Sequence, residues 1–265
     1  MHTKQTLMRQ LREMGLRPED KVMMHSSMKA IGMVDGGADA VLDALMEYFE
    51  PGLIMMPAHT WAQMNDSYNV FDPAAEPSCV GLLSNMFMKR PGVVRSLHPT
   101  HSIAVWGRGA AAFAAGEENS TTPCTPGCCW NRLYSEGAKI LLVGVTHVRN
   151  TYIHAVEEML DVPERIADTP SEFHIVMPDG SRRQNLQYRH YNRFEPHVSE
   201  HYDKLKECYF ETGAAKPASL GDAACILCDC GELYRVTRHV LSHQINALLE
   251  LDEIPRSWWA NYRKE

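Results

Sequence analysis

The chain has 265 residues, of which 45% are hydrophobic and 22% charged, so it can bury a substantial core. Its formal net charge is −7 with histidine neutral, and no Lys/Arg cluster is present that would grip a phosphate backbone, which argues against nucleic acid as a partner. No apolar run is long enough to span a bilayer and no signal peptide is recognisable, so we expect no membrane partner and a cytoplasmic location. Eight cysteines without an export signal then indicate reduced thiols.

The first half of the chain alternates helical patterns with short apolar strands. The predicted helices cover residues 3–14, 36–50, 81–89 and 109–115, and the predicted strands cover residues 21–25, 53–56 and 102–106. A polar turn, residues 26–32, follows the first strand. Residues 57–77 lack periodicity and are rich in Asn, Asp, Pro and aromatic residues, which predicts a long ordered loop of the kind that binds ligands.

The second half continues the same alternation. We predict strands at 139–145 and 223–230, a hairpin of residues 172–178 and 182–188 across an Asp-Gly turn, and helices at 198–209 and 232–251. No repeat or linker is visible. The expected fold class is therefore α/β, with a single domain spanning residues 1–265 and a mixed β-sheet sandwiched between helical layers.

The strand at 139–145 leads directly into the most informative segment of the chain. Asn150 or Thr151 is a candidate helix cap, which places His154 in the first helical turn. Glu157 and Glu158 follow at i+3 and i+4, so one carboxylate can lie beside the imidazole. A histidine held by a carboxylate at the carboxyl end of a sheet has the parts of a general base. The same spacing also occurs on solvated helix faces, so it does not define a site by itself.

Three segments in this order resemble the aminoglycoside 3-N-acetyltransferase family, also called the antibiotic N-acetyltransferases. They are His25-Ser26-Ser27 with Gly32, then Pro91-Gly92 with Arg95-Ser96, His98-Pro99 and Ser102, then Leu141–Val145 with Asn150-Thr151, His154 and Glu157. The resemblance implies a mixed sheet flanked by helices, unrelated to the GNAT fold. It also implies transfer of an acetyl group from acetyl-CoA, with no metal, to the 3-amino group of a 2-deoxystreptamine aminoglycoside. The amine would attack directly in a ternary complex, and the activity would confer antibiotic resistance.

The resemblance and the residue types together assign candidate roles. His154 is the expected general base and Glu157 its orienting partner, while Thr151 either donates to the developing oxyanion or caps the helix. The candidate acetyl-CoA contacts are His25, Ser26, Ser27, Lys29, Ile31, Gly32, Arg95, Ser96, His98 and Ser102. A polyamine acceptor requires acidic or polar contacts, and the candidates are Asp66, Tyr68, Asp72 and Glu158. For Asp72, beside Pro73, turn formation is the alternative.

Other functions remain open at this point. The same fold can acetylate a different amine, or bind CoA without catalysis. A zinc-dependent hydrolase is the rival from another class, since Cys124, Cys128 and Cys129, and then Cys225, Cys228 and Cys230, cluster along a chain that also contains His98, His101 and His147. Neither cluster contains the two CxxC pairs that are typical of a structural zinc site. Residues 223–230 equally predict a buried strand in which Cys is a small apolar side chain that fills space. A homodimer is compatible with the sequence.

Overall fold

The computed structural model describes residues 1–262, and ten strands form two sheets. The strands are β1 (Lys21–Ser26), β2 (Leu53–Pro57), β3 (Val70–Phe71), β4 (Val94–Arg95), β5 (Ile103–Gly107), β6 (Lys139–Val143), β7 (Ser171–Val176), β8 (Arg182–Gln187), β9 (Ala215–Leu220) and β10 (Ala223–Asp229). Seven strands form a mixed sheet in the order β4-β5-β2-β1-β6-β10-β9, and the other three form a small sheet, β3-β7-β8.

Ten α-helices connect and cover these strands. They are α1 (Lys4–Glu13), α2 (Met28–Ile31), α3 (Gly37–Tyr48), α4 (Leu82–Phe87), α5 (Ala110–Ala114), α6 (Cys129–Ser135), α7 (Tyr152–Met159), α8 (Lys206–Thr212), α9 (Cys230–Leu241) and α10 (Ala247–Glu250). A 3-10 helix, Val198–Leu205, precedes α8. Within residues 1–262 no helix is both long and apolar enough to cross a membrane.

The side chains of the central strands alternate between two hydrophobic cores, one on each face of the large sheet. On β1, Met23 packs into one core, whereas Val22 and Met24 pack into the other. The first core also holds residues of α5, α6, α7 and α9, and the second holds residues of α1, α3 and α4. Strands covered on both faces are apolar throughout, which explains why β1, β2 and β6 stand out in the sequence as continuous hydrophobic runs. The predicted fold class, a mixed sheet between helical layers, is confirmed.

Three of the central strands are parallel, and this sets the position of the site. β1 pairs in parallel with both β2 and β6, so the carboxyl ends of all three strands meet at the same edge of the sheet. The remaining strands, β5, β4, β10 and β9, extend the sheet by antiparallel pairing. Open α/β sheets bind ligands beyond the carboxyl ends of their parallel strands.

The structure differs from the sequence predictions in several elements, including α2 within the predicted turn at 26–32 and the strand β4. Residues 57–77 contain the two-residue strand β3, and residues 198–205 form a 3-10 helix rather than the start of an α-helix. The helix predicted at 232–251 ends at Leu241, before the separate α10. The edge strand β9 was not predicted because it contains Pro217, which breaks a strand pattern but is tolerated at a sheet edge. The prediction of one domain over residues 1–265 stays a prediction.

Candidate active site

A cavity of about 620 Å³ opens at the carboxyl edge of the parallel strands. Ser26 at the end of β1, Pro57 at the end of β2 and Val145 just after β6 all line it. The first turn of α7 supplies His154, and Thr151 lies immediately before that helix. The cavity is of the size that holds small-molecule ligands. The cavity therefore lies where the strand at 139–145 leads into α7, the position at which the sequence predicts a site.

His154 is connected to Glu157 through a buried tyrosine. The Tyr202 hydroxyl donates to Glu157 Oε2 and lies 2.6 Å from His154 Nδ1, and the direct separation of Nδ1 from Oε2 is 3.7 Å. Since the phenol has one proton and gives it to the carboxylate, its oxygen accepts from Nδ1–H. This arrangement fixes the imidazole tautomer and leaves the lone pair on Nε2, which has no hydrogen-bond partner among residues 1–262. The ring is therefore set up to take a proton at Nε2.

The charges behind this relay are compensated. Arg165 Nε donates to Glu157 Oε1 over 2.7 Å, and both side chains are buried. Burial favours a raised pKa for Glu157, but its contacts with His154 and Arg165 outweigh burial and hold the pKa below its usual range. Burial lowers the pKa of His154 below its usual 6.5, and the neighbouring His190 lowers it further. A neutral imidazole next to an ionised carboxylate is the protonation state that a general base requires at neutral pH.

A second acid–imidazole pair faces the first. Glu158 Oε1 contacts His190 Nε2, and the His190 ring lies 4.3 Å from the His154 ring between centroids. The same carboxylate accepts from the Thr122 hydroxyl and from the Cys124 backbone N–H. His190 Nδ1 is buried and has no partner within the protein. Glu158 is thus fully engaged, whereas His190 retains a free ring nitrogen at the cavity wall.

Thr151 does not cap α7 with its side chain. Its hydroxyl lies 3.1 Å from Nε2 of His59, a buried residue that follows β2, and both residues line the cavity. Thr151 therefore occupies the N-cap position of α7 without making a side-chain cap bond. With its hydroxyl at the cavity, the side chain is positioned to meet a ligand.

The turn after β1 contributes unequally to the cavity. His25 and Ser26 line it, and Nε2 of the buried His25 has no protein partner. The Ser27 side chain instead caps α2 by accepting from the Ala30 N–H. The next two predicted contacts lie elsewhere: Lys29 is exposed outside the cavity, and Ile31 is fully buried in the core. Gly32, at φ 81°, packs against Asp222.

The second predicted cofactor segment is structural. Arg95 donates to three backbone carbonyls, including that of Ala58 at 2.8 Å, and Ser102 donates to the same carbonyl. Ser96 donates to Glu117 and accepts from the Ile103 N–H. The remaining member, His98, accepts from two backbone N–H groups and is fully buried. None of the four lines the cavity, because their polar atoms hold the loops beside β2 and β5 together.

The three predicted acceptor contacts in the loop at 57–77 lie outside the cavity, although Pro57, His59 and Trp61 of the same loop line it. Asp66 is exposed, and Tyr68 donates to Glu76 Oε2 over 2.8 Å. Asp72 Oδ1 accepts from the Ala74 N–H at 2.9 Å, the turn contact expected as its alternative. None of these three lines the cavity, so we do not retain them as acceptor contacts.

Several residues of the site lack any local sequence signal. Tyr202 and His190 reach His154 from distant segments, His59 and His101 lie on two loops of the cavity wall, and Arg165, 8 residues after Glu157, contacts that carboxylate. Arg165 and His190 belong to two extended segments that an isolated β-bridge joins, Ile166↔His190. Only a pairing of distant segments brings these residues together, so spacing in one sequence does not reveal them.

Among residues 1–262, neither cysteine cluster brings three of its own thiols together as a zinc site would require. Cys225 and Cys228 on β10 belong to opposite cores, so they cannot ligate one ion, and they act as apolar filler. Among residues 1–262, the potential metal ligands that converge are Cys124, Glu158 and His190, whose ligand atoms lie within 4.8 Å of one another. Glu158 is already satisfied there by three donors, and burial raises the pKa of Cys124 well above its usual value. Both features favour a hydrogen-bonded cluster over a metal centre.

The fold and the site together define an α/β protein in which His154, linked to Glu157 through Tyr202, lies at the carboxyl edge of the sheet. Comparison with known proteins gives the family. The sequence model of the aminoglycoside 3-N-acetyltransferase family matches residues 23–242, and the chain belongs to this family.

Curated relatives and solved structures agree with this assignment. The chain is similar to aminoglycoside N(3)-acetyltransferase VII of Streptomyces paromomycinus, with 32% identity over 68% of each chain. It is also similar to aminoglycoside N(3)-acetyltransferase III of Salmonella sp, with 30% identity over 62% of this chain and 63% of the relative, so it spans less than two thirds of that relative's length.

The same fold occurs in a structure described as AAC-IIIb binary with CoASH, with TM-score 0.76, 20% identity and coverage of 91% of this chain and 97% of the other. It occurs again in AAC-VIa bound to sisomicin, with TM-score 0.74, 23% identity and coverage of 91% and 98%.

Proposed function

We propose that this protein is an acetyl-CoA-dependent N-acetyltransferase in which a primary amine attacks the thioester directly. The observation that carries this proposal is the relay from Glu157 through Tyr202 to His154, at the wall of a ligand-sized cavity. A protonated amine is not a nucleophile, so the reaction needs a neutral base with a free lone pair. His154 Nε2 has both properties.

In this mechanism His154 Nε2 accepts the proton that leaves the amine nitrogen as the C–N bond forms. The imidazolium so created is stabilised by the Glu157 carboxylate across Tyr202, while Arg165 keeps that carboxylate ionised. We propose that the Thr151 hydroxyl donates to the thioester oxygen as it gains charge, with His59 Nε2–H donating to the Thr151 oxygen. Collapse of the intermediate then expels the CoA thiolate, which takes the proton from the His154 imidazolium, and leaves the amide.

For acetyl-CoA itself, His25 and Ser26 are the predicted contacts that line the cavity. A relative of the same fold is described as a binary complex with CoASH, which supports CoA as the thiol product. We keep Ser26, at the carboxyl end of β1, as the candidate hydrogen-bond partner of the pantetheine arm.

Two acceptors are candidates. The relatives' names support an aminoglycoside, acetylated at the 3-amino group of 2-deoxystreptamine with resistance as the consequence. A different amine is the second candidate, and the cavity favours it, because no Asp or Glu is among its lining residues.

Initial-rate measurement of thiol release from acetyl-CoA tests the reaction. We expect release only when an amine is present, with intersecting double-reciprocal plots as acetyl-CoA and amine are varied, because both substrates must be bound together. Parallel plots, or a burst of thiol without amine, indicate an acetyl-enzyme and contradict direct attack. Absence of amine-dependent release from a broad panel of amines overturns the N-acetyltransferase proposal.

A further inference from the structure

The cavity beside His154 is lined by cationic groups and no anionic ones. Among residues 1–262, its 24 lining residues include Arg149, Arg165 and Arg189 but no Asp or Glu. Arg149 lies 4.0 Å from Glu200 and Arg165 is paired with Glu157, while Glu157 and Glu158 are occupied by protein donors. A polycationic acceptor requires carboxylates to orient its ammonium groups. This lining instead repels such a ligand and favours one that carries negative charge.

Two of these arginines have buried donors with no hydrogen-bond acceptor among residues 1–262. Arg165 is 4% exposed and uses Nε for Glu157, yet its Nη2 is buried without an acceptor. Arg189 donates from Nη2 to the Met64 carbonyl and lies over the Phe173 ring, while its Nε is buried and unpaired. Within residues 1–262 Arg189 has no carboxylate partner. Buried guanidinium donors without acceptors are costly, and an anion at the cavity removes that cost.

The backbone brings the two arginines close together. The Tyr191 N–H donates to the Arg165 carbonyl over 3.0 Å, and the Ala167 N–H donates to the Arg189 carbonyl over 2.9 Å. These bonds flank the Ile166↔His190 bridge, so Arg165 and Arg189 are diagonal neighbours across an antiparallel pair. Diagonal Cβ atoms in such a pair lie roughly 7–8 Å apart, a gap that two guanidinium groups can close around one carboxylate or phosphate.

We propose that Arg165 and Arg189 bind a carboxylate or phosphate on the acceptor, so that the preferred substrate is an amine that also carries an anionic group. This rests on the proposed N-acetyl transfer and names its acceptor class. Arg165 and Tyr202 bind the two oxygens of the Glu157 carboxylate. An anion bound by Arg165 is therefore separated from the base, His154, only by Glu157 and Tyr202. The acceptor's anion thereby anchors the molecule while its amine faces His154.

The phosphates of CoA are the other source of an anion, and their position argues against them. The whole pantetheine arm separates them from the thioester, and the thioester must lie at His154. Arg165 is hydrogen-bonded to the same carboxylate as the tyrosine that holds His154, so it lies next to the reacting atoms. The group that reaches it is therefore part of the acceptor.

Matched acceptor pairs test the proposal on the wild-type protein. Phosphoethanolamine is compared with ethanolamine, β-alanine with its methyl ester, and both pairs with a 2-deoxystreptamine aminoglycoside, by thiol release from acetyl-CoA. We expect the anionic member of at least one pair to have a kcat/KM about 10- to 100-fold above its neutral partner, the range of one or two charge-assisted hydrogen bonds. Equal rates within both pairs, or preference for the aminoglycoside, overturn the proposal.

Variants then assign the preference to the arginines. Arg189→Gln is expected to remove most of the preference and leave the KM for acetyl-CoA unchanged, whereas Arg189→Lys keeps the charge and part of the preference. Arg182→Gln, on the exposed start of β8 outside the cavity, is the matched control and leaves both unchanged. A rise in the KM for acetyl-CoA, with the acceptor preference intact, assigns the site to CoA phosphate and overturns the proposal.

Failure of the reaction is distinguishable from failure of the anion site. If no amine of any charge releases thiol, N-acetyl transfer is refuted. Isothermal titration calorimetry then tests the anion site separately, by measuring binding of the amines. Binding of phosphoethanolamine but not ethanolamine, abolished in Arg189→Gln, supports the anion site. Equal or absent binding of both probes overturns it.

Discussion

At the scale of single residues, Tyr202 determines what His154 can do. A histidine with one proton has two tautomers, and only the one protonated at Nδ1 presents a lone pair at Nε2. Tyr202 selects that tautomer because its own proton is committed to Glu157. The direct imidazole–carboxylate contact is 3.7 Å, too long for a hydrogen bond, so the phenol carries the connection.

Tyr202→Phe tests this role. We expect kcat to fall about 10- to 100-fold, because a buried hydrogen-bonding partner is lost. The acid limb of the kcat/KM profile should also move to lower pH, since the Glu157 carboxylate no longer stabilises the imidazolium through the phenol. Steady-state kinetics across pH measures both effects.

Tyr209→Phe is the matched control for that variant. Tyr209 is also fully buried, and its hydroxyl lies 2.6 Å from the Thr237 hydroxyl rather than at the site. It should lose stability while keeping kcat and the position of the acid limb. A Tyr202→Phe enzyme with the rate and pH profile of the wild type contradicts the relay.

At the scale of elements, the site depends on how closely the turn after β1 approaches the end of β6. Gly144 follows β6 at φ 63°, and a Cβ added there would overlap the Ala30 side chain of α2. This contact places Ser26 and Val145 on the same cavity wall. The glycine is therefore required both by its backbone conformation and by the lack of space.

Gly144→Ala is expected to destabilise the protein by about 2–5 kcal/mol, the sum of left-handed strain and overpacking. Gly137→Ala is the control, because Gly137 has φ 58° but open space around its Cα, so it should cost only the strain of about 1–2 kcal/mol. Urea denaturation of the two variants measures the difference. Equal losses would show that α2 moves away without cost.

The elements also show how far the sequence predicts this structure. The buried strands β1, β2 and β6 and the start of α7 have strong local periodicity, so their type and the position of His154 were predictable. The partners of His154 were not, because Tyr202 lies 48 residues away and His190 is in a segment that pairs with residue 166 through an isolated bridge. The role of the polar motif around Arg95 is not predictable for a different reason. An arginine that binds backbone carbonyls and an arginine that binds phosphate look the same in a sequence, and Arg95 donates to the Ala58 carbonyl.

At the scale of the whole molecule, buried neutral histidines couple stability to pH. Burial lowers the pKa of His25 to about 3 and that of His147 to about 4. The pKa values of His59, His98, His101 and His154 are also lowered, with burial as the largest cause. In the unfolded chain these rings titrate near 6.5, so below that pH the unfolded state binds more protons than the folded state and gains stability relative to it.

We therefore expect the melting temperature to fall as pH drops from about 6.5 to about 5, a window above the range in which unfolded carboxylates titrate. The stabilising effect of the neutral rings is complete above pH 6.5 and is lost progressively below it. Calorimetric melts in a series of buffers measure the slope. His174→Ala, which removes a half-buried histidine of β7, is the control variant. A melting temperature that is constant across this window contradicts the protonation states assigned here.

The most direct test of the account is acetyl transfer by His154→Ala, measured as thiol release with the best amine of the panel and accompanied by titration of acetyl-CoA binding. His174→Ala, outside the cavity, serves as the control. We predict that His154→Ala binds acetyl-CoA as the wild type does but loses about 10²- to 10⁴-fold in kcat, the usual contribution of a general base. A variant that retains the wild-type kcat would contradict the assignment of His154 as the base and, with it, the proposed mechanism.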